Sequence, residues 1–412
     1  MDFEIPYGKN KINIMIPDNN IINFSCARDN NAHGKSEEDI IRSALENPFS
    51  SKKLFEAASN KNNVCILVSD ITRPCPSYKF MPFLLDELKA ANVGEIKIVF
   101  GLGIHRNHAR QEQEKLVGSQ AAQACILVDS DKERCRLIGT TERGTPVEVF
   151  EEVLDSDFII ATGNIEYHYF AGYSGGAKAV MPGVCSYNSV CANHSMMLED
   201  MARAGEYAAN PVRIDIEQAG FITGIDFVFN VILDDRKKII AAVAGKNNEA
   251  FLEGIKIYDS IYEVSCSEKA DIVITSAGGF PKDINLYQAQ KALESVKDIV
   301  RDNGIIILAA ECPEGFGEDK FAEWMQNTRD YAGLYKKIRE KFVLGGHKAV
   351  AVSKLLSRVS GVLFSAFDRV QTYNIGFEKI EDIQAFIDEK LKENNDLRIA
   401  VVPNGRFIKS YN

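Results

Sequence analysis

The segment 164–183, NIEYHYFAGYSGGAKAVMPG, gathers the most reactive side chains of the sequence. His168 and Lys178 stand on either side of a loop containing Gly172, Gly175 and Gly176, and His194 follows in ANHSMM. Glycines lack a Cβ, so their backbone N–H groups can approach an anion closely. A lysine closing such a loop can pair with a phosphate or attack as a nucleophile. The loop is not a nucleotide-hydrolysing P-loop. That motif needs a glycine before the lysine and a serine or threonine after it, and Ala177 and Ala179 occupy those places. The missing hydroxyl also removes the usual magnesium ligand.

Other candidates lie upstream and downstream. Arg73 in DITRP precedes Pro74, which forces an extended or turn backbone. Its planar fork suits a carboxylate or phosphate. Asp70 can orient Arg73, or cap the next helix, and a plain Asp–Arg stitch across a turn is the structural alternative. Of six histidines, His105, His168 and His194 follow strands or glycine loops, and imidazole suits proton transfer near neutral pH. His105 and His108 are three apart and could share a helical face. No HxH or HExxH spacing is present, which disfavours a preformed zinc site. In GGFPKDINLYQAQKALE, Gln288 and Lys291 are spaced to share a helix face, with Tyr287 four before Lys291. Such a face is either solvated or a cation-and-amide pair for an anionic substrate.

These residues need a frame. Near-continuous apolar runs at 64–70, 95–103, 124–131 and 157–164 read as strands buried on both faces, with a helical period at 77–92. This is βαβ grammar and predicts a mostly parallel sheet, with an antiparallel hairpin over 226–234 and 238–244. The pattern restarts at residue 271. DIVITSAGG, GIIILAAE, KFVLGG, GVLFSA and RIAVVPNG alternate with helical segments near 284–302, 318–340, 347–358 and 380–394. The expected fold is therefore α/β: two domains, each a mostly parallel sheet flanked by helices. The expected division is 1–267 and 268–403, with the tail 404–412 crossing back to the first domain. The polar motifs DITRP, GLGIHR and NIEYH all lie just after strands, where open α/β sheets bind ligands.

Composition bounds the function. The chain has 412 residues, too many for one ordinary core. A net charge of −10 with no basic block argues against nucleic acid as a partner. Nine scattered cysteines without a C-x-x-C pair disfavour a zinc knuckle or a redox dithiol. No apolar stretch is long enough to span a membrane, and a cytoplasmic location is expected.

Taken together, the motifs resemble the nickel-dependent lactate racemase family. The resemblance runs through DxTRP (Asp70, Thr72, Arg73, Pro74), GxHR (Gly103, His105, Arg106), EYHxxxGxSGGxK (Glu166 to Lys178), NH (Asn193, His194) and YQAQK (Tyr287 to Lys291), in that order across both domains. It implies a 2-hydroxy acid racemase or epimerase with its site in an interdomain cleft. It also implies a nickel-pincer nucleotide, a pyridinium-3,5-bisthiocarboxylic acid mononucleotide whose two sulfurs and one ring carbon hold nickel, made by separate biosynthetic enzymes. By resemblance, Lys178 tethers this cofactor through a thioamide and His194 supplies the remaining nickel ligand. Asp70, Thr72, Gly172, Ser174, Gly175 and Gly176 surround the cofactor. His105 and His168 act as paired acid/bases. Arg73, Gln288 and Lys291 hold substrate or assist catalysis, with Tyr287 beside them. The family's substrate-pocket tryptophan has no counterpart, since Trp324 lies in FAEWMQN, and His347 in GGHKA aligns near that position. A histidine there favours a substrate larger or more polar than lactate. Malate, longer 2-hydroxy acids and sugar acids stay open beside lactate. The alternatives from other classes are a non-catalytic two-domain small-anion-binding protein and a zinc hydrolase using His105, His168 and His194.

Overall fold

The computed structural model describes residues 1–26, 34–103, 105–234, 236–405 and 407–410, without the side chains of 26, 409 and 410. The chain divides into two compact units, Arg28–Tyr262 and a second formed by Met1–Ala27 with Glu263–Asn412.

In the first unit six strands lie in the order 239–245, 227–233, 158–164, 63–69, 95–101, 126–129. All neighbours run parallel except Phe227–Leu233 with Ile239–Gly245, the expected hairpin. The central strand Asn63–Ser69 is buried from Val64 through Val68, which explains its unbroken apolar run. Helix Ser77–Ala90 turns Phe80, Met81, Leu84, Leu85 and Leu88 onto the sheet at helical spacing. Each such side chain contributes roughly 1.5–3 kcal/mol by leaving water.

The second unit holds five parallel strands in the order 377–379, 360–364, 300–309, 270–276, 399–402. Two features depart from the sequence reading. KFVLGG is not a strand: Val343 instead takes the His347 amide into the approach of helix Gly346–Leu356, and Phe342 stacks on His347. The fifth strand is Phe377–Lys379. The expected division at 267 also differs from the observed units. Strands Asp2–Tyr7 and Asn10–Met15 form a hairpin whose Ile5 and Ile14 join Ile272, Ile274, Ile307 and Val362 in one core. Ser276 donates to the Pro6 carbonyl, and Gly8 N–H donates to Asp283 at 2.7 Å. The tail stays with this unit as well, since Lys409–Ser410 pairs with Val264–Cys266.

Candidate active site

Strand order in the first unit reverses between Asn63–Ser69 and Phe158–Asn164, the switch point at which open α/β sheets bind ligands. DITRP leaves the first of these strands and NIEYH the second. The neighbouring strand Glu95–Gly101 delivers His105.

Asp70 is only 3% exposed and makes three contacts. It accepts from the Thr72 amide at 2.6 Å and the Thr72 hydroxyl through Oδ1, and faces His105 Nδ1 at 2.7 Å through Oδ2. Burial pushes this carboxyl up, but the hydrogen bonds from His105 and Thr72 and the charge of Arg73 outweigh it and hold it at about 2. An ionised Asp70 accepts only, so His105 carries its hydrogen on Nδ1 and keeps the Nε2 lone pair. That is an oriented general base. Asp70 therefore orients a histidine, not the Arg73 that the sequence suggested.

His108 has a different task. Its Nδ1 meets Asp129 at 2.7 Å and its Nε2 accepts the Ile71 amide at 3.1 Å. The shared helical face expected for His105 and His108 is absent, because residues 105–109 are not helical. His108 is fully engaged in pinning the DITRP loop.

His168 sits on a short hairpin, Tyr167–His168 paired with Gly172–Tyr173. The hydroxyls of Tyr167 and Tyr173 both donate to Asp259, which anchors the hairpin to helix Asn247–Tyr262. His168 Nδ1 accepts the Ala171 amide at 3.2 Å, so the neutral ring bears its hydrogen on Nε2. The two candidate acid/bases thus rest in opposite tautomers.

The glycine loop is shaped by protein, not by an open anion cradle. A Cβ on Gly172 would lie 1.9 Å from the Glu206 carbonyl, and one on Gly175 2.8 Å from Asn230 Oδ1. Gly176 meets Arg213 and Phe251 in the same way, and its N–H is already donated to Asn230 at 2.7 Å. Ser174 N–H goes to the Glu166 carbonyl at 2.8 Å. Arg213, wholly buried, grips the loop from behind. It donates to the carbonyls of Tyr173 and Gly175, pairs with Glu217 and lies 4.0 Å over the Phe251 ring.

Lys178 follows on the single turn Gly176–Ala179. Burial, then the charges of Arg73 and Arg213, depress its amine well below the usual lysine range, against the pull of Glu166. Burial in turn raises the Glu166 carboxyl despite a hydrogen bond with Asn164 and the charges of Lys178 and Arg73. The proton on Lys178 is therefore held less tightly than on an ordinary lysine, which favours the nucleophilic free amine relative to one.

His194 lies near the end of helix Tyr187–Ser195. The Phe170 ring stands edge-on to both His168 and His194, at 4.6 and 4.9 Å between centroids. Among the described residues no three His, Cys, Asp or Glu side chains converge as a metal-ligand cluster. The three-histidine zinc site is therefore not assembled among the described residues.

The second unit has its own switch point, between Ala270–Ser276 and Ile399–Val402. A pocket of about 410 Å³ opens there, lined by Ala277, Lys282, Gln288, Lys291, Ser295 and Asn404 among others. Lys291 Nζ donates to Gln288 Oε1 at 2.7 Å, which unites the expected cation and amide. Asn285 caps this turn by accepting the Gln288 amide. His347 does not present a polar face: it is 3% exposed, and burial, followed by the charge of Lys348, pushes its imidazole down to about 3. The adjacent Lys348 is the side chain that meets Tyr287, donating to its carbonyl at 3.1 Å and lying 3.3 Å over its ring. Burial and the charge of Lys291 lower this lysine to about 6. Sequence reasoning missed Lys348, Arg213 and Asn230. None belongs to a motif, and only the adjacency of Lys348 to His347 hinted at one of them.

Fold and site together define a two-unit, parallel-sheet α/β protein with an oriented imidazole and a half-buried, depressed amine on switch-point loops. Two family models match it. One described as the lactate racemase N-terminal domain covers residues 7–205, and one described as the lactate racemase C-terminal domain covers 265–408. A lactate racemase of Thermoanaerobacterium thermosaccharolyticum is 33% identical over 424 residues, spanning 98% of each chain. A lactate racemase of Lactiplantibacillus plantarum is 33% identical over 337 residues, 79% of this chain and 78% of that one. The structure of the T. thermosaccharolyticum lactate racemase apoprotein matches with a TM-score of 0.88 over 100% of both chains. A Thermotoga maritima protein of known structure, 18% identical, shares the fold at a TM-score of 0.66, covering 91% of this chain and 98% of that one. The chain belongs to the lactate racemase family.

Proposed function

We propose that this protein interconverts the enantiomers or epimers of a 2-hydroxy acid, with lactate as the leading candidate. The observation that carries the reading is an oriented base, His105 on Asp70, with Arg73 bearing on both Asp70 and a lysine whose amine is depressed. Removing the α-proton of a 2-hydroxy acid as such is hard, because the adjacent carboxylate leaves that proton weakly acidic. Taking the hydroxyl proton while hydride leaves C2 avoids the carbanion and gives a planar 2-keto acid.

The residues fit a nickel-pincer nucleotide. A metal that brings two sulfurs and a carbon with it needs only one protein donor, and His194 offers one imidazole where no ligand cluster exists among the described residues. An amine must be neutral to form a thioamide, and the depressed Lys178 amine reaches that form more readily than an ordinary lysine. When bound, this group supplies the acceptor for the hydride leaving C2.

The chain's own residues do the rest. His105 Nε2 takes the hydroxyl proton of a substrate in one orientation, and Asp70 stabilises the imidazolium that forms. In the mirror orientation His168 exchanges the proton with the substrate oxygen at Nε2, cycling between imidazolium and neutral ring, which requires its Nδ1 to release the Ala171 amide. Arg73 holds the carboxylate. Gln288 and Lys291 are assigned further substrate contacts, and Lys348 holds Tyr287 beside them.

The test is a screen of single-enantiomer 2-hydroxy acids with protein made alongside the cofactor-biosynthesis enzymes, read by chiral chromatography. Conversion of one enantiomer into a mixture is expected, and it should vanish in the double variant His105→Gln/His168→Gln while nickel stays bound. Adduct-bearing protein that interconverts no 2-hydroxy acid would contradict the reading.

A further inference from the structure

We infer that the buried chain Thr141–Asp215–Asn193 is a positioning device that fixes which nitrogen of His194 keeps its lone pair. The inference rests on the reading of His194 as a metal ligand. Its geometry stands apart from that reading.

Asn193 and Asp215 have no solvent exposure and Thr141 has 5%. The Asn193 amide could in principle sit either way round. It lies 3.2 Å from the Val212 carbonyl, which can only accept, so the NH2 group must be on that side. The second amide hydrogen goes to Asp215 Oδ2 at 2.8 Å. Asp215 is itself held at Oδ1. The Thr141 oxygen accepts the Thr145 amide at 3.1 Å, which leaves the Thr141 hydrogen to donate to Asp215 in a short contact.

With its NH2 group committed, Asn193 turns its carbonyl oxygen to His194 Nδ1 at 3.2 Å. A carbonyl oxygen only accepts, so Nδ1 carries the hydrogen. In a neutral imidazole the lone pair is then on Nε2, the nitrogen that can act as a metal donor in this tautomer. Free histidine favours the opposite tautomer. Five residues from three parts of the sequence, Thr141 and Thr145, Asn193, and Val212 and Asp215, therefore work to hold the less common one. Their burial removes water as a competing partner, which is what gives such a chain its directing power.

The experiment is long-range 1H–15N correlation of metal-free protein labelled with 15N-histidine, at a pH where the rings are neutral. The His194 signals are assigned by their loss in His194→Gln. The expected wild-type pattern is Nδ1–H. In Asn193→Leu the pattern should change to predominantly Nε2–H, while Thr141→Ser, which keeps the hydroxyl, should leave it unchanged. Nε2–H in the wild type overturns the inference, and so does an unaltered Nδ1–H in Asn193→Leu. Should Asn193→Leu fail to fold, the wild-type spectrum still decides. On cofactor-loaded protein the same variant should hold nickel about 10–100-fold more weakly. Undiminished nickel in His194→Gln would overturn the ligand reading instead, and would leave the tautomer result standing.

Discussion

Asp70 and Lys178 carry opposite electrostatic burdens. Asp70 is held at about 2, below its unfolded value, so it contributes stability above that unfolded value and loses it as the pH falls toward 2. A shift of this size corresponds to about 2 kcal/mol. Denaturation midpoints of wild type and Asp70→Asn should therefore differ most near neutrality, close as the pH falls from about 4, and converge only at about pH 2 and below. The same substitution should lower kcat of loaded enzyme by roughly 10²–10⁴, because His105 loses its orienting anion. Lys178 works the other way. Its folded amine is depressed, so the unfolded chain binds the extra proton, and stability rises with pH until the unfolded lysine also deprotonates. Lys178→Met should raise the melting temperature at pH 7, with the gain shrinking as the pH approaches 10.5. A lysine kept at such a cost to stability is what a covalent anchor requires.

The loops that carry these residues depend on contacts from distant elements. Gly172 has a φ of +74° and its missing Cβ faces the Glu206 carbonyl, so Gly172→Ala should destabilise by at least ~1–3 kcal/mol. Arg213→Leu removes the ion partner of Glu217, which keeps only Asn247 among the described residues, and frees two loop carbonyls, and should cost about 3–5 kcal/mol. Both are read by chemical denaturation, and both should reduce nickel loading, since they release the turn bearing Lys178. At this scale the sequence was legible where periodicity and strand-end position are decisive. The strands beginning at 63, 95 and 158, helix Ser77–Ala90 and the hairpin after 226 appeared close to their predicted places. It was not legible where a side chain's partner lies far along the chain. Nothing local marks Arg213 as the clamp on Gly175, or Asp70 as the partner of His105. KFVLGG misled because its apolar side chains steer the approach to a helix and stack on His347, a task with the same composition as a short strand.

Across the whole molecule, the N-terminal hairpin shows how far sequence order and packing order diverge. Residues 1–27 precede the first unit yet are built into the second. Ile5→Ala should cost ~2–5 kcal/mol, and hydrogen exchange should show the loss in strands Ala270–Ser276 and Val300–Ala309, while Asn63–Ser69 keeps its protection. Each unit carries reactive groups at its own switch point, the first with the acid/base, amine and imidazole groups, the second with Gln288, Lys291 and Lys348. The central claim is that Lys178 is a covalent anchor for a metal-bearing cofactor. Intact mass of wild type and Lys178→Met, each made with the cofactor-biosynthesis enzymes, tests it most directly. An added mass on wild type that localises to Lys178 and is absent from the variant is the expected result. Identical adducts on both, or none on a wild type that nevertheless racemises its substrate, would contradict it.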